Sequence, residues 1–516
     1  MSNLQDVIFG QQAITIEDIN NIATHQSKAV LNDEPSYVDL IEKSVNFLER
    51  LLKEDGDIYG VTTGYGDSCT VQIPKHLVEA LPLQLTRFHG CGLGEFFNPQ
   101  ESRAIVAARL ASLSIGKSGV TGDLLAGLIH LLKHDIMPQI PEEGSVGASG
   151  DLTPLSYVAA VLIGERDVHY NGQIMPALQA LQLTGMTPIT LRPKEGLALM
   201  NGTAVMTAIA CLNWQRANYL AEMATRITAM TTLAMQGNAF HYDERLHAVK
   251  PHPGQVKCAR RLREDLAAQR PPRNSDRLQD RYSLRCAPHV IGVLEDTLTW
   301  TRQLIETELN SANDNPIIDG ENETVLHGGH FYGGHIAMAM DSLKTAVANV
   351  ADLLDRQLAQ LCDYKFNNGL PYNLTGAGDD ILPISHGFKA VQIGVSSWTA
   401  EALKNTMPAS VFSRSTESHN QDKVSMGTIA SRDCRRVVEL TEQVTAACLF
   451  ASVQGVELRL NAGELEQAAL SEAVMTTISE VREVSPFLVG DRPLDAELRQ
   501  CITQIGQRQF TGYRHD

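Results

Sequence analysis

The sequence predicts a mainly α-helical protein, a long antiparallel helical bundle with a smaller N-terminal mixed domain. Apolar side chains recur at steps of three and four through residues 336–361, which is the period of one helix face. We expect an N-terminal domain over 1–200 and the bundle over 201–516. Further long stretches that favour helix lie at 203–235, 296–309 and 428–453.

Shorter elements are predicted in the N-terminal part of the chain. A first helix is expected to begin with a cap at Ser36 and to end near Asp55. A second helix begins at Asn98, where a capping residue is followed by proline, and ends near Gly116. A β-hairpin is predicted over 168–175, because Asn-Gly separates two short β-prone runs.

Composition and charge exclude several classes of function. The 516 residues include 43 Lys and Arg against 60 Asp and Glu, a formal charge of −17, so no net cationic field attracts nucleic acid. No basic segment followed by an apolar run opens the chain, and no run is apolar enough for a membrane span. We therefore expect a cytoplasmic protein without membrane or nucleic-acid partners. The nine scattered cysteines predict reduced thiols, with no disulfide and no zinc site.

The segment 144–154, GSVGASGDLTP, contains residues that could form an electrophile from the backbone. Gly150 has no Cβ, so its nitrogen can fold back onto the carbonyl carbon of Ala148, and Ser149 can lose its hydroxyl as water. The product would be a five-membered ring with an exocyclic methylene, which could accept a substrate amine. Taken alone, the same residues also fit a Gly-rich turn before a helix.

This segment and six others resemble one known family. The run GSVGASGDLTPLSY resembles the signature of the histidine and phenylalanine ammonia-lyases, which cyclise Ala-Ser-Gly into 4-methylidene-imidazol-5-one (MIO). The resemblance covers nearly the whole chain and implies that MIO forms from Ala148, Ser149 and Gly150 without an external cofactor. The other matching segments, in chain order, are YGVTTGYG (59–66), LALMNGT (197–203), LQDRYSLRC (278–286), NSANDNP (310–316), GHFYGG (329–334) and HNQDKVSMG (419–427).

The resemblance also implies roles for single residues. Elimination of ammonia requires a base for the β-proton, and Tyr59 matches the catalytic base; a phenol with a pKa of about 10 would need electropositive surroundings. Arg285 matches the arginine that binds the substrate carboxylate, and Tyr282, one helical turn earlier, would face the same side. The remaining residues that the resemblance assigns to the site are Gly66, Gln279, Asn201, Asn315, Phe331, Asn420 and Gln421.

Selectivity for the substrate ring is expected to depend on Phe88 and His89. His89 could hydrogen-bond a phenolic hydroxyl while Phe88 packs on the ring; a histidine with no ligand role is the alternative. Histidine-specific members carry Gln-Glu-Asp where this chain has Asn420-Gln421-Asp422, which argues against an imidazole substrate. L-Tyrosine is therefore the predicted substrate, with phenylalanine, 3,4-dihydroxyphenylalanine and, less favoured, histidine as alternatives.

Two further expectations concern the product of the reaction and the assembly of the subunits. The resemblance implies a homotetramer whose active sites draw on several subunits, so that Asn420 and Gln421 could serve a neighbouring site. A tyrosine 2,3-aminomutase matches the sequence as well as a tyrosine ammonia-lyase does, and a non-catalytic helical scaffold is the more remote alternative. His327, His330 and His335 are not expected to bind metal, because Gly separates them and no carboxylate or Cys lies nearby in the sequence.

Overall fold

The computed structural model describes residues 4–54, 56–266 and 277–513. Long helices dominate, so the prediction of a mainly α-helical protein is confirmed. None of the helices in the described residues is both long and apolar enough to cross a membrane. In the same residues the helices are α1 (Ile16–Ala23), α2 (Pro35–Lys53), α3 (Leu81–Phe88), α4 (Pro99–Leu113), α5 (Gly122–His134), α6 (Leu152–Leu162), α7 (Ala177–Leu183), α8 (Glu195–Met200), α9 (Ala204–Ala234), α10 (Glu244–Ala248), α11 (Pro253–Asp265), α12 (Tyr282–Arg285), α13 (Ala287–Leu309), α14 (Gly334–Cys362), α15 (Lys389–Lys404), α16 (Gly427–Asn461), α17 (Glu472–Val484) and α18 (Asp495–Gly506).

The β-structure consists of small sheets. Strands β1 and β2 pair in parallel, and the other pairs are antiparallel, in the orders β3–β5, β4–β6–β7 and β8–β9. The predicted hairpin is confirmed as β6 and β7, with Asn171 and Gly172 both at positive φ in its turn. The strands are β1 (Gln5–Phe9), β2 (Ser27–Leu31), β3 (Leu93–Phe96), β4 (Met137–Pro138), β5 (Pro141–Glu143), β6 (Asp167–Tyr170), β7 (Gln173–Pro176), β8 (Ile317–Asp319) and β9 (Thr324–Leu326).

Helix boundaries agree with the sequence rules at α4 and depart from them at α2. Asn98 and Glu101 form a capping box at the start of α4, as the Asn-Pro signal predicts. The prediction of a cap at Ser36 is wrong, because Pro35 occupies the first turn and Glu34 precedes it. The predicted end near Asp55 lies outside the described residues.

The chain forms two compact units. The first comprises the chain up to Gln215 together with Arg302–Asp341 and Pro408–Arg432. The second comprises Arg216–Thr301, Ser342–Met407 and the chain from Asp433 onward. The division into domains at residue 200 stays a prediction.

Helix α4 is the buried centre of the first unit. Its side chains are buried on all faces from Glu101 to Leu113, which small alanines allow. Two arginines of α4 are buried with them and are held by backbone carbonyls: Arg103 donates to the oxygens of Ile22 and Leu132, each at 2.6 Å, and Arg109 to that of Ala198 at 2.7 Å. The two arginines therefore tie α4 to helices α1, α5 and α8.

A fully buried ion pair supports the loop that precedes β8. Lys194 Nζ contacts Asp314 Oδ2, and neither side chain is exposed to solvent. The other oxygen of Asp314 accepts from the backbone N–H of Asn315 at 2.6 Å. Burial lowers the pKa of Lys194, and the Asp314 charge opposes that shift. The pair thus holds Asn315, one of the predicted site residues, in place.

We expect Lys194→Met to lower the free energy of unfolding by about 3–5 kcal/mol, because the Asp314 charge would remain buried without its partner. Lys117→Met is the control, since Lys117 pairs with Asp319 and Glu321 near the surface and its loss should cost less than about 1 kcal/mol. Urea unfolding at one protein concentration measures both variants. Equal losses in the two variants would contradict the assignment.

Aromatic and ionic contacts fasten the end of the described chain to the second unit. Tyr513 lies between two guanidinium groups, with Arg226 and Arg261 at 4.8 and 4.7 Å from the ring centre. Its hydroxyl contacts Asp265, which also pairs with Arg226 at 2.8 Å. These interactions attach the last described residues to the helices of that unit.

Candidate active site

The Ala148-Ser149-Gly150 segment forms a strained turn in the first unit. Ser149 has a φ of +52° and Gly150 a φ of +78°, a conformation that serine adopts only at a cost. The N–H of Gly150 turns back to the oxygen of Gly147 at 3.3 Å. A Cβ on Gly150 would lie 2.1 Å from the oxygen of Gly202, so only glycine fits there. The Gly202 backbone beside Gly150 therefore prevents the turn, and Ser149 within it, from relaxing to a less strained conformation.

Asp151 fastens this turn to the long helices. Its backbone N–H donates to Gly202 at 2.7 Å, and its carboxylate accepts from the N–H of Met206 at 3.0 Å and from the hydroxyl of Thr428. Burial raises the pKa of Asp151 to about 6, and these donors oppose that shift. The first turns of α9 and α16 are thereby anchored to the segment that carries Ser149.

Ser149 lies on the wall of a cavity of about 510 Å³. All of the residues that line it belong to the first unit. Six of the seven segments that resemble the family contribute to the wall, and the segment 278–286 does not. The predicted site residues on the wall are Tyr59, Gly66, Ala148, Ser149, Asn201, Asn315, Phe331, Asn420 and Gln421, with Gly150 directly behind Ser149.

Amide side chains surround Ser149 within the cavity. Gln421 donates from Nε2 to the Ser149 hydroxyl at 3.2 Å, so this glutamine reaches the Ser149 of its own chain. Asn201 donates from Nδ2 to the oxygen of Asn315 at 2.9 Å. The Oδ1 atom of Asn201 is buried and has no hydrogen-bond partner among the described residues, so the cavity holds an acceptor that a bound group could satisfy.

Tyr59 occupies another part of the wall, in the loop that continues to Gly66. Its hydroxyl oxygen accepts from the N–H of Gly66 at 2.8 Å. Burial raises the pKa of Tyr59, and the charge of Glu417 adds to this, whereas the Gly66 N–H lowers it. The electropositive surroundings expected for a catalytic phenol are therefore not produced by these neighbours.

The loop before α14 contributes Phe331, Tyr332 and His327 to the wall. The N–H of Gly328 donates to Asn315 Oδ1 at 2.8 Å, which joins this loop to the one that carries Asn315. Within residues 4–54, 56–266 and 277–513, no cluster of three or more His, Cys, Asp or Glu residues is suited to a metal ion.

Phe88 and His89 lie at the end of α3 and are not on the cavity wall. The rings stack with their centres 4.2 Å apart, and Phe88 is 60% exposed. The Nδ1 atom of His89 lies 3.1 Å from the oxygen of Leu85, which can only accept, so Nδ1 carries the proton and Nε2 is left as an acceptor. Burial lowers the pKa of His89, which favours this neutral form.

Gln279, Tyr282 and Arg285 belong to the second unit. Arg285 and Tyr282 share one side of the short helix α12, as their spacing predicts, with the guanidinium 4.7 Å from the ring centre. Tyr282 is 72% exposed, Gln279 is also exposed, and Arg285 Nε donates to the oxygen of Asp280 at 3.1 Å. None of the three lines the cavity described above.

Sequence reasoning assigned no role to several residues on the wall, among them Cys69 and Lys423. Lys423 follows Asp422 in the segment HNQDKVSMG, so its position in that motif could have indicated it. Cys69 lies three residues beyond YGVTTGYG, and no local pattern distinguishes it from an ordinary surface thiol.

The chain is similar to known proteins over nearly its whole length. A family model described as aromatic amino acid lyase matches residues 14–483. A histidine ammonia-lyase of Gloeobacter violaceus is 36% identical, over 95% of this chain and 94% of that protein. A solved tyrosine aminomutase from Streptomyces globisporus has a TM-score of 0.90 at 33% identity, over 98% of this chain and 97% of that one. A phenylalanine aminomutase of Pantoea agglomerans has a TM-score of 0.90 at 30% identity, over 98% and 99%.

Proposed function

We propose, from the premise that this chain belongs to the aromatic amino acid lyase family, that it eliminates ammonia from L-tyrosine to give 4-hydroxycinnamate. The chain is accordingly a carbon–nitrogen lyase, and the proposal concerns its substrate and its outcome. The observation that carries the proposal is one cavity that brings together a strained Ala148-Ser149 turn, Tyr59 and the amides of Asn201 and Gln421. These are the groups that an elimination from an α-amino acid needs.

The electrophile is proposed to be MIO, formed from Ala148, Ser149 and Gly150 with loss of two waters. MIO would supply an electrophilic methylene that activates the substrate amine as a leaving group. The residues fit such a ring, since the turn is already folded back and position 150 excludes any side chain. The free Asn201 acceptor and the Gln421 donor lie where a ring atom or the substrate amine could be bound.

Tyr59 is proposed to remove the β-proton. Its hydroxyl oxygen faces the same cavity as Ser149 and is held by the Gly66 N–H, which favours the phenolate over the phenol. Since burial raises the pKa of Tyr59, the reaction is expected to become faster as the pH rises through that pKa. Positive charge supplied by other parts of the assembled enzyme would extend activity to lower pH.

Binding of the substrate carboxylate is assigned to Arg285, with Gln279 and Tyr282 beside it. Because these residues do not line the cavity of the first unit, we propose that another copy of the chain supplies them, within the homotetramer that the resemblance implies. A guanidinium can bind a carboxylate through two parallel hydrogen bonds, which fixes the orientation of the substrate. Among the described residues, the Arg285 guanidinium donates from Nε to the oxygen of Asp280 and lies over the ring of Tyr282.

Two observations bear on the substrate ring. His89 does not line the cavity, but its neutral form offers Nε2 as an acceptor, which would suit a phenolic O–H donor and therefore tyrosine if the substrate ring extends as far as the end of α3. Gln421 lies where histidine-specific members carry Glu, which argues against histidine. The curated relatives named histidine ammonia-lyase favour the opposite choice, so histidine remains the alternative substrate to be measured.

A tyrosine 2,3-aminomutase is the second candidate. It is favoured by the likeness to the solved tyrosine aminomutase, which extends over almost all of both chains. The two activities share the elimination and differ in whether ammonia leaves or adds back at the β-carbon. That outcome depends on how long the site stays closed.

We expect the purified protein to convert tyrosine into 4-hydroxycinnamate and to form no urocanate from histidine. Chromatography of incubations with tyrosine, phenylalanine, 3,4-dihydroxyphenylalanine and histidine separates cinnamates from β-amino acids. His89→Leu should lower kcat/KM for tyrosine by roughly tenfold or more while sparing phenylalanine, because one hydrogen bond to the phenol is lost.

His130→Leu serves as the control, since His130 bonds Thr184 and has no proposed contact with the substrate. Rapid formation of urocanate would overturn the choice of substrate. β-Tyrosine as the main product would replace the lyase by the aminomutase.

A further inference from the structure

A tight turn at 416–421 carries Gln421 into the candidate site. Thr416 and Gln421 pair through both backbone hydrogen bonds, at 3.0 and 3.3 Å. Between them Glu417, Ser418 and His419 have φ values of +52°, +54° and +67°, three successive residues in the left-handed region. A left-handed conformation costs free energy for any residue other than glycine, so surrounding contacts must hold this turn in its shape.

One such contact is made by Glu417. Its two carboxylate oxygens accept from the N–H of Asp67 at 3.0 and 2.9 Å. The carboxylate also lies directly against Gly66, since a Cβ at that position would be 2.2 Å from Glu417 Oε2. Gly66 has a φ of +59°, so both the space and the backbone require glycine.

Successive amides of the loop therefore bind two different groups. The Gly66 N–H donates to the Tyr59 oxygen at 2.8 Å, and the next N–H, that of Asp67, donates to Glu417. At the other end of the 416–421 turn, Gln421 donates to the Ser149 hydroxyl at 3.2 Å. One turn of six residues thus contacts both the loop of the proposed base and the segment of the proposed electrophile.

We propose that Glu417 is a positioning residue that holds Tyr59 at its place relative to Ser149 by binding the Gly66–Asp67 backbone. The inference rests on the proposed function, since it gives Tyr59 and Ser149 their roles. Glu417 does not line the cavity, so it acts through the loop and not on the substrate. Misplacement of a reacting group by about 1 Å can cost 100-fold in rate, so one such link has a measurable effect.

The charge of Glu417 provides a second signature. It raises the pKa of Tyr59, as does Cys69, and Tyr65 is close enough to Tyr59 for their charges to interact. Removing the negative charge should therefore lower the pKa of Tyr59. A base acts when deprotonated, so the rising limb of kcat/KM against pH should move to lower pH. The other titratable groups in segments 59–69 and 416–424 are Asp67, His419, Asp422 and Lys423.

The test compares Glu417→Gln and Glu417→Ala with the wild type. Hydrogen exchange at the Asp67 amide reports the link without any turnover, and exchange in Glu417→Ala should be about tenfold faster, as expected for one lost hydrogen bond. The kcat of that variant should fall on the order of 100-fold with little change in KM. Glu417→Gln keeps the size of the side chain and should mainly shift the pH profile downward.

Asp491→Asn is the matched control, since the Asp491 carboxylate likewise accepts from backbone amides, those of His386 and Gly387. The Asp491→Asn variant should speed hydrogen exchange at the amides of His386 and Gly387 and leave kcat and the pH profile unchanged. Intact mass confirms that each variant still lacks two waters.

Unchanged exchange at Asp67 together with an unchanged pH profile in both Glu417 variants would overturn the inference. If the wild type deaminates no aromatic amino acid, the proposed function fails, and exchange at Gly66 and Asp67 alone decides whether Glu417 holds this loop. Faster exchange without any shift of the pH profile or fall in kcat would overturn the role in positioning Tyr59.

Discussion

Ser149→Ala is expected to abolish turnover and to leave the chain at the full mass of its sequence. Alanine has no hydroxyl to lose, so no exocyclic methylene forms and the substrate amine meets no electrophile. We expect kcat to fall by about 10³-fold or more, which corresponds to at least about 4 kcal/mol of activation free energy. The wild-type protein should be lighter than its sequence by two water molecules, and intact-protein mass spectrometry measures the difference.

The fold should tolerate this change. Ser149 Oγ has one hydrogen bond of 3.2 Å, and alanine is close to serine in volume, although it keeps the positive φ. Ser114→Ala is the control, because that hydroxyl is buried in the same unit and donates to the oxygen of Ala111. It should lose two waters and turn over as the wild type does. Turnover in Ser149→Ala near the wild-type rate would refute the electrophile, and a wild-type mass without loss of water would favour the non-catalytic scaffold.

Tyr59→Phe is expected to lose most of the activity. Its Ala148-Ser149-Gly150 segment should still cyclise, so the variant should still be lighter than its sequence by two water molecules. The substitution removes one oxygen and leaves the ring, so the cavity wall is preserved and only the proposed proton acceptor is missing. General base catalysis typically contributes about 10² to 10⁴-fold, and kcat should fall by that amount. The wild-type kcat/KM should rise with pH, because burial raises the pKa of Tyr59 and the phenolate is the active form.

Tyr65→Phe is the matched control for this prediction. Tyr65 is a half-buried tyrosine of the same loop that does not line the cavity. Its variant should keep the rate of the wild type. A Tyr59→Phe variant with wild-type kcat would assign proton removal to another group. A Tyr59→Phe variant with the full mass of its sequence, without loss of two waters, would show that Tyr59 acts in cyclisation.

The regular elements could be predicted because their signals are local. The period of apolar residues in 336–361 predicts α14, and Asn-Gly after a β-prone run predicts the hairpin of β6 and β7. The error at α2 has an equally local cause, since Pro35 is better suited than Ser36 to start a helix. Helix α13 begins at Ala287 instead of Asp296, and Pro288 in its first turn is a start signal that the prediction did not use.

The candidate site was predictable in part. Motif resemblance identified Tyr59, Ser149, Asn201, Asn315 and Gln421, which share one cavity although they are distant in sequence. No local pattern indicated the contact of Glu417 with Gly66 and Asp67, because it joins segments some 350 residues apart. The same holds for the buried pair of Lys194 and Asp314, whose spacing of 120 residues has no period.

By itself, the sequence determined the helical class, the family resemblance and the chemistry of the segment Ala148-Ser149-Gly150. These follow from residue type and near-neighbour spacing, which act through backbone preference and covalent reactivity. Only the tertiary structure decided that Gly66 and Asp67 offer their amides to Tyr59 and Glu417, and that Phe88 and His89 lie off the cavity wall. Such placements depend on how buried surfaces pack together, and packing brings together residues that no local preference connects.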